Sequence, residues 1–270
     1  DLSVSYNGTM TVQTPDLTDY NMMDAATKLD TEWRAGLYNP ASASDMNLYN
    51  RYRRNVLGGV DTYWLSKPLR TAFQHRHSAS VSGGTEVFRY SLDINAAMQP
   101  GVMKESANNT KGVNFNMSYM KEKFIMRANV SLNESNSSNS PYGSFSQYTR
   151  LNPYYIPEDA NGNQQKILDN NTVSGQSTII TNPLYDATLG IKDLNNSLNM
   201  TTSLNLEYMV LRNLRITEQL SYTRGMAGTD KFLPADHTSF ELEDDLTRKG
   251  SYFKSTGEMT SWSSNLGINY

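Results

Sequence analysis

The feature that most constrains this chain is a two-residue alternation of apolar and polar side chains, sustained for about ten residues at a time. Between 88 and 98, Phe88, Tyr90, Leu92, Ile94, Ala96 and Met98 share one parity, while Arg89, Ser91, Asp93 and Asn95 share the other. Successive side chains point to opposite faces in an extended strand. The pattern returns at 2–12, 113–119, 124–132, 198–208, 214–222 and 262–270. Strands of soluble proteins average about five or six residues. Strands of about ten residues, apolar on one face and Asn, Ser, Thr or Arg on the other, have the length and pattern of a transmembrane β-barrel strand. On that reading Phe88, Tyr90, Leu92, Ile94, Phe115, Met117, Met126, Val130, Leu204, Leu206, Ile216 and Leu220 face lipid. Arg89, Asp93, Asn114, Asn116, Arg127, Asn205, Glu207 and Arg215 face the lumen.

The connections between these segments support the same architecture. Short ones at 83–86, 121–123 and 210–213 alternate strictly with long ones at 13–73, 99–109, 136–193 and 227–250. An up-and-down barrel in the outer membrane has short periplasmic turns at one end and long extracellular loops at the other. A Greek-key sandwich has no reason to keep that alternation. The pattern yields an all-β, antiparallel up-and-down transmembrane β-barrel, present as a partial barrel of about eight long strands. Loops this long suit an arc of a large barrel better than a small closed one. Within the first long loop, Met22, Ala25, Ala26, Leu29 and Trp33 recur at helical spacing. That predicts one amphipathic helix of about four turns with Asn21 as its N-cap. Residues 133–146, rich in Ser and Asn with Pro141 and Gly143, read as loop.

Composition is compatible with this reading. The chain has 270 residues, 37% of them hydrophobic, a mean hydropathy of -0.60 and a formal net charge of -3. Such polarity is unusual for a chain long enough to bury a substantial core. A barrel with a watered inside and solvated loops accounts for it; so does a polar soluble β protein. No apolar run reaches the roughly eighteen residues of a transmembrane helix. The absence of cysteine excludes disulfides and thiolate metal sites. The near-neutral charge gives no argument for nucleic-acid binding. The sequence opens on Asp1 with a strand pattern beginning at once, and the last pattern still runs at Tyr270. Residues 1–270 therefore read as part of one barrel domain, a segment of a longer chain.

Few residues suggest chemistry. His75-Arg76-His77 puts two imidazoles on one strand face, as a metal pair needs, with no third ligand visible nearby. Asp159-Ala160-Asn161-Gly162-Asn163 has half of a calcium loop, but Gln164 and Asn170 stand where Gly and Glu are required, so it reads as a turn. Glycosylation sequons at Asn7, Asn116, Asn129 and Asn199 all lie inside strand patterns, where an Asn/Ser/Thr face generates them automatically. Arg51, Arg53 and Arg54 form a basic cluster that reads as a solvated face; a phosphate-bearing surface such as lipopolysaccharide is the partner it would take. Tyr142, Phe145, Tyr148, Arg150, Tyr154 and Tyr155 crowd one stretch of a long loop. Exposed, they would contact cargo or a protein lid; otherwise they cover the barrel rim. No catalytic motif stands out, so the chain is not read as an enzyme, and no cofactor or metal is assigned.

Three stretches resemble a known family. The first is Trp64-Leu65 with Leu69-Arg70-Thr71-Ala72-Phe73, leading to Val81-Ser82-Gly83-Gly84 and Arg89-Tyr90. The second is Tyr148-Thr149-Arg150-Leu151-Asn152-Pro153-Tyr154, continuing to Pro157-Glu158-Asp159-Ala160-Asn161-Gly162. The third is Asn182-Pro183-Leu184-Tyr185-Asp186-Ala187. Together they resemble the N-terminal part of the barrel of SusC/RagA-type TonB-dependent transporters. The resemblance implies a larger barrel, an N-terminal plug and a TonB box, the last two absent from this sequence. It implies TonB-dependent import of oligosaccharides or oligopeptides through the outer membrane of a Gram-negative bacterium. It also implies a SusD-like surface lipoprotein and TonB as partners. The alternatives are a surface β-rich glycan-binding or adhesion module and an outer-membrane enzyme.

Overall fold

The structure, a computed structural model, describes residues 2–173 and 176–270. Eight strands form one antiparallel sheet: β1 (Ser3–Gln13), β2 (Ala72–Gly84), β3 (Phe88–Met98), β4 (Ala107–Lys121), β5 (Phe124–Ser138), β8 (Lys192–Leu211), β9 (Leu214–Leu233) and β10 (Ser251–Asn269). Each pairs with its neighbours in chain order, as an up-and-down meander requires. Two further strands, β6 (Ile167–Val173) and β7 (Gln176–Thr181), form a separate two-stranded sheet inside the connection between β5 and β8. The sheet is open, with β1 and β10 at its edges.

Directly paired residues of antiparallel strands share a face. Across the sheet, Val4, Val81, Leu92, Phe115, Val130, Thr202, Tyr222 and Trp262 form one row. The adjacent row on the opposite face is Ser3, Ser82, Ser91, Asn116, Asn129, Ser203, Ser221 and Ser263. The alternation read from the sequence therefore stays in phase over all eight strands, and the residues expected to share a face do so. At the short-turn end, Phe88, Tyr90, Tyr119, Phe124 and Tyr208 gather on the apolar face, with ring centroids 6.1 Å apart for Phe88–Tyr90 and 6.2 Å for Tyr119–Phe124. This resembles the aromatic girdle that ends an apolar belt.

The turns follow from local chemistry. Gly84 ends β2 at φ +137, and a Cβ there would lie 2.0 Å from the Phe88 carbonyl oxygen, so only glycine closes that turn. The Lys121–Phe124 pair leaves Glu122 and Lys123 as a two-residue turn, with Glu122 at φ 51. Strands β5, β8, β9 and β10 run further than the alternation indicated, so that 133–138, read as loop, is strand. The added residues 133–138 of β5 and 195–197 of β8 are polar on both faces and carry no period-two signal.

The hydrophobic core lies outside the sheet. Apart from Ala72 and Ala97, the buried apolar residues all belong to connections, whereas Ile94, Leu132, Leu220, Trp262 and Leu266 on the apolar face are exposed. Ala25, Leu29, Tyr38, Leu48, Tyr52, Trp64 and Leu65 from the first long loop pack with Tyr148, Tyr154, Tyr155 and Leu184 from the third. Two helices supply much of this cap. α1 (Ala25–Arg34) begins at Asp24, which accepts a hydrogen bond from the Thr27 amide at 2.7 Å. The expected cap at Asn21 is thus displaced, and the helix is ten residues, shorter than the four turns expected. α2 (Ala43–Leu57), capped by Ser42, was not anticipated. The third and fourth long connections join the cap too: the Thr238 amide donates to Asp186 at 2.9 Å, and Lys166 pairs with Glu241 at 2.7 Å. All the long connections thus meet at one end of the sheet.

The three family-like stretches converge here. Trp64 is 3% exposed and donates its indole N–H to the Asn152 carbonyl at 2.9 Å. Asn182 is fully buried, donating to the carbonyls of Pro157 and Gln165 and accepting from the Leu184 amide. Trp64→Ala should cost the cap about 3–5 kcal/mol from lost packing and remove one of the two hydrogen bonds to the Asn152 carbonyl, which keeps the Tyr155 amide at 3.1 Å. Limited proteolysis should then cut within 14–71 or 139–191 while the barrel keeps its heat-modifiable gel mobility. Wild-type protease resistance in the variant would contradict this packing.

Candidate functional site

Two surfaces could serve a function: the polar face of the sheet and the cap at its long-loop end. The polar face is built almost entirely from short neutral side chains. The row Ser5, Ser80, Asp93, Asn114, Ser131, Thr201, Thr223 and Ser261 carries a single charge. Asn129 donates to the side-chain oxygens of both Asn114 and Asn116 at 2.8 Å, and Asn116 donates to Ser91 at 3.2 Å. Such side chains fix one another through cross-strand bonds and still offer donors and acceptors to water or a hydrogen-bonding solute. Nearer the short turns a hollow of about 310 Å³ on this face is lined by, among others, Arg89, Ser118, Arg127, Asn129 and Asn205. Arg89, Ser118 and Arg127 are successive cross-strand neighbours, and neither arginine has an ion-pair partner among the described residues. The sequons at Asn7, Asn116, Asn129 and Asn199 all sit in strands, as expected.

The aromatic stretch is mostly interior. Tyr148, Tyr154 and Tyr155 are buried, at 0, 1 and 6% exposure, as the packed-loop alternative has it, so these three candidates present no free surface to cargo or lid. Tyrosine can bury its ring when its hydroxyl finds a partner, and each of these does. Tyr148 donates to the Tyr142 carbonyl at 2.9 Å, Tyr154 donates to Glu32 at 2.9 Å, and the Tyr155 hydroxyl accepts from Asn152 at 3.2 Å. Tyr142 and Phe145 are half-buried, and Arg150 is exposed. Of the six candidate contact residues, Arg150 presents the most surface and Tyr142 and Phe145 present part of theirs.

Two buried carboxylates organise the cap. Glu32 accepts from Tyr38 and Tyr154, each at 2.9 Å, and pairs with Lys28 at 3.4 Å. Asp169, 4% exposed, is held by the Tyr52 hydroxyl, the Arg51 guanidinium and Asn171. Tyr52 stacks on Tyr154 at 4.3 Å, linking the two centres. Arg51 is therefore committed to the cap and leaves the solvated basic cluster, whereas Arg53 and Arg54 stay exposed. Sequence distance hid this contact: Arg51 and Asp169 are 118 residues apart.

At 159–163 the turn reading holds. Asp159 accepts from the Asn161 amide at 2.8 Å and the Asn163 amide at 2.9 Å, with Gly162 at φ +84. These are the bonds of a turn, and they hold its carboxyl below the usual range, the Asn163 amide contributing most. His75 and His77 share one strand face, as expected, with Nδ1 of one 3.1 Å from Nε2 of the other. No group of three or more His, Cys, Asp and Glu gathers among the described residues.

Burial pushes the phenols of Tyr38, Tyr52, Tyr148 and Tyr154 well above the ordinary tyrosine range, nearby carboxylates adding to the effect. The Tyr155 phenol is pushed up to about 12, again mainly by burial. A phenol whose ionisation is harder in the fold than in the unfolded chain stabilises the fold fully below its unfolded pKa of about 10. That contribution is lost as pH rises from there through the folded value. The cap should therefore resist protease at pH 8 and become cuttable within 14–71 and 139–191 above about pH 10. Equal resistance at pH 8 and pH 11 would contradict the assignment.

No family model matches the chain, and no curated protein does. Solved structures do. The chain is similar to a RagAB peptide transporter structure at 17% identity and a TM-score of 0.67, covering 86% of this chain and 29% of that one. It is similar to the RagAB peptide importer in its "open-open" state at 16% identity and TM-score 0.67, covering 98% and 32%. For the "closed-closed" state the values are 14% and 0.67, covering 100% and 40%. The chain thus spans between 29 and 40% of the length of these neighbours, and what it shares with them is the fold: a stretch of antiparallel β-sheet traced with the same path.

Proposed function

We propose that this chain forms part of the wall and outer cap of an outer-membrane nutrient importer. The observation that carries the reading is an eight-stranded meander whose apolar face packs on no protein while its polar face presents rows of Asn, Ser and Thr. A bilayer satisfies the first face and a watered lumen the second. The likeness to RagAB peptide transporter structures supports transport, and peptides become the favoured cargo over oligosaccharides. Further strands would pair with the open edges of β1 and β10 to close the barrel. A SusD-like lipoprotein would sit over the cap, and TonB would drive the cycle through a plug. In this reading the chain has no catalytic role. Arg150, with the exposed parts of Tyr142 and Phe145, would touch lid or cargo, and Tyr148, Tyr154 and Tyr155 would hold that stretch in place.

Leu92→Arg, at mid-strand on the apolar face, should destabilise the assembled barrel by roughly 2–4 kcal/mol, whereas Asn95→Asp on the polar face should cost little. Denaturant unfolding from bilayers measures both; equal costs would sink the register. Arg150→Ala in the full-length protein should lower uptake of labelled peptide with barrel assembly intact. Undiminished uptake would assign Arg150 to the solvated surface and leave the wall reading standing. The segment 1–270 expressed alone without detergent should aggregate. A sharp monomer peak in gel filtration with two-state melting would instead favour a soluble surface module.

A further inference from the structure

The long-loop end of β2 carries a set of donor groups that transport does not use. His75 and His77 project from the apolar face of the strand. The register places Met10 of β1 and Met98 of β3 directly beside His75, one on either side, so that all three share a row. His75 Nδ1 and His77 Nε2 are 3.1 Å apart. Two nitrogens bound to one metal ion at about 2.0–2.1 Å lie roughly 2.9–3.4 Å apart, for bond angles between a right angle and tetrahedral. The other nitrogen of His77, Nδ1, lies 2.6 Å from the Tyr6 hydroxyl, whose ring stacks on the imidazole at 6.0 Å and 19°. An imidazole held by a partner on one nitrogen presents the lone pair of the other, which is how metal-binding histidines are usually oriented.

The donor set selects its ion. The cross-strand neighbours of the two histidines on β1 and β3 are Met10, Gly8, Met98 and Ala96, so no carboxylate stands beside them. Hard cations need oxygen ligands. Thioethers with imidazoles favour a soft ion. Met10 and Met98 are 69 and 52% exposed and the histidines are half-buried, so the described residues leave all four uncovered. We propose that Met10, His75, His77 and Met98 form a Cu(I)-binding site on the outward face of the sheet.

The full-length protein in detergent would be titrated anaerobically with Cu(I) against a chromophoric chelator. The same titration would be run on His75→Ala/His77→Ala and on Met10→Leu/Met98→Leu, each shown by heat-modifiable mobility to be assembled. The wild type should bind one more equivalent than the histidine variant. The methionine variant should bind Cu(I) at least an order of magnitude more weakly while its Zn(II) affinity barely moves. X-ray absorption of the copper-loaded wild type should show both nitrogen and sulfur neighbours, a readout independent of any variant's folding. Equal stoichiometry and affinity in wild type and histidine variant would overturn the site. A copper spectrum with nitrogen or oxygen alone would overturn the thioether ligands.

Discussion

The whole arrangement turns on a sheet that has an apolar face and nothing of its own to lay against it. Ordinary sheets bury one face on a second layer. Here the second layer is missing from one side, and the long connections that could have supplied it pack with one another at the sheet's end. Backbone hydrogen bonding does not depend on that layer, since every interior strand is paired on both sides over most of its length. A sheet satisfied in this way tolerates a solvent that cannot hydrogen-bond, provided its edges are closed. The polar face then has to be the wet one, and its Asn-to-Asn and Asn-to-Ser bonds suit a hydrated wall.

The cap rests on different physics. It is a small water-facing core in which tyrosines replace much of the usual aliphatic packing. Glu32 and Asp169 are buried only because tyrosine hydroxyls, Lys28, Arg51 and Asn171 surround them. Removing one member strands a buried charge, so the cluster behaves as a unit. This explains why the family-like motifs, spread over more than a hundred residues, converge on it: they specify the packing of two loops against each other. Arg150, within the second stretch, and Arg53, outside the three, remain on the exposed surface of the cap.

Side-chain period made the sheet legible before the structure, because a strand's alternation is a local property. Strand ends were less so: Ser135 to Ser138 and Asn195 to Asn196 are polar on both faces, and a period needs contrast. The helix α2 was hidden for a similar reason. Its buried stripe is Asp45, Leu48 and Tyr52, with an aspartate where an apolar residue would have revealed it, and arginines and asparagines dilute the rest. Asp45 is buried there as the acceptor for the Asn39 amide at 2.9 Å, a contact no spacing rule foretells. Tyr154 finds its hydroxyl partner, Glu32, in another loop, the rings of Tyr148 and Tyr155 pack on residues from that loop, and Met10 and Met98 reach His75 only through strand register. Each of these is a long-range pairing that a single sequence does not display.

The absence of cysteine lets the central claim be tested directly, since each introduced cysteine adds one labelling site to this stretch. Nitroxide labels would be placed singly at Leu92, Asp93, Ile94, Asn95, Leu204 and Asn205 in the full-length protein in bilayers. Their collision with dissolved oxygen and with a water-soluble nickel chelate would then be compared by electron paramagnetic resonance. Labels at 92, 94 and 204 should favour oxygen, and those at 93, 95 and 205 the chelate, alternating residue by residue along each strand. Equal chelate access on both faces, or a reversed alternation, would contradict the account of a wall with lipid on one side and water on the other.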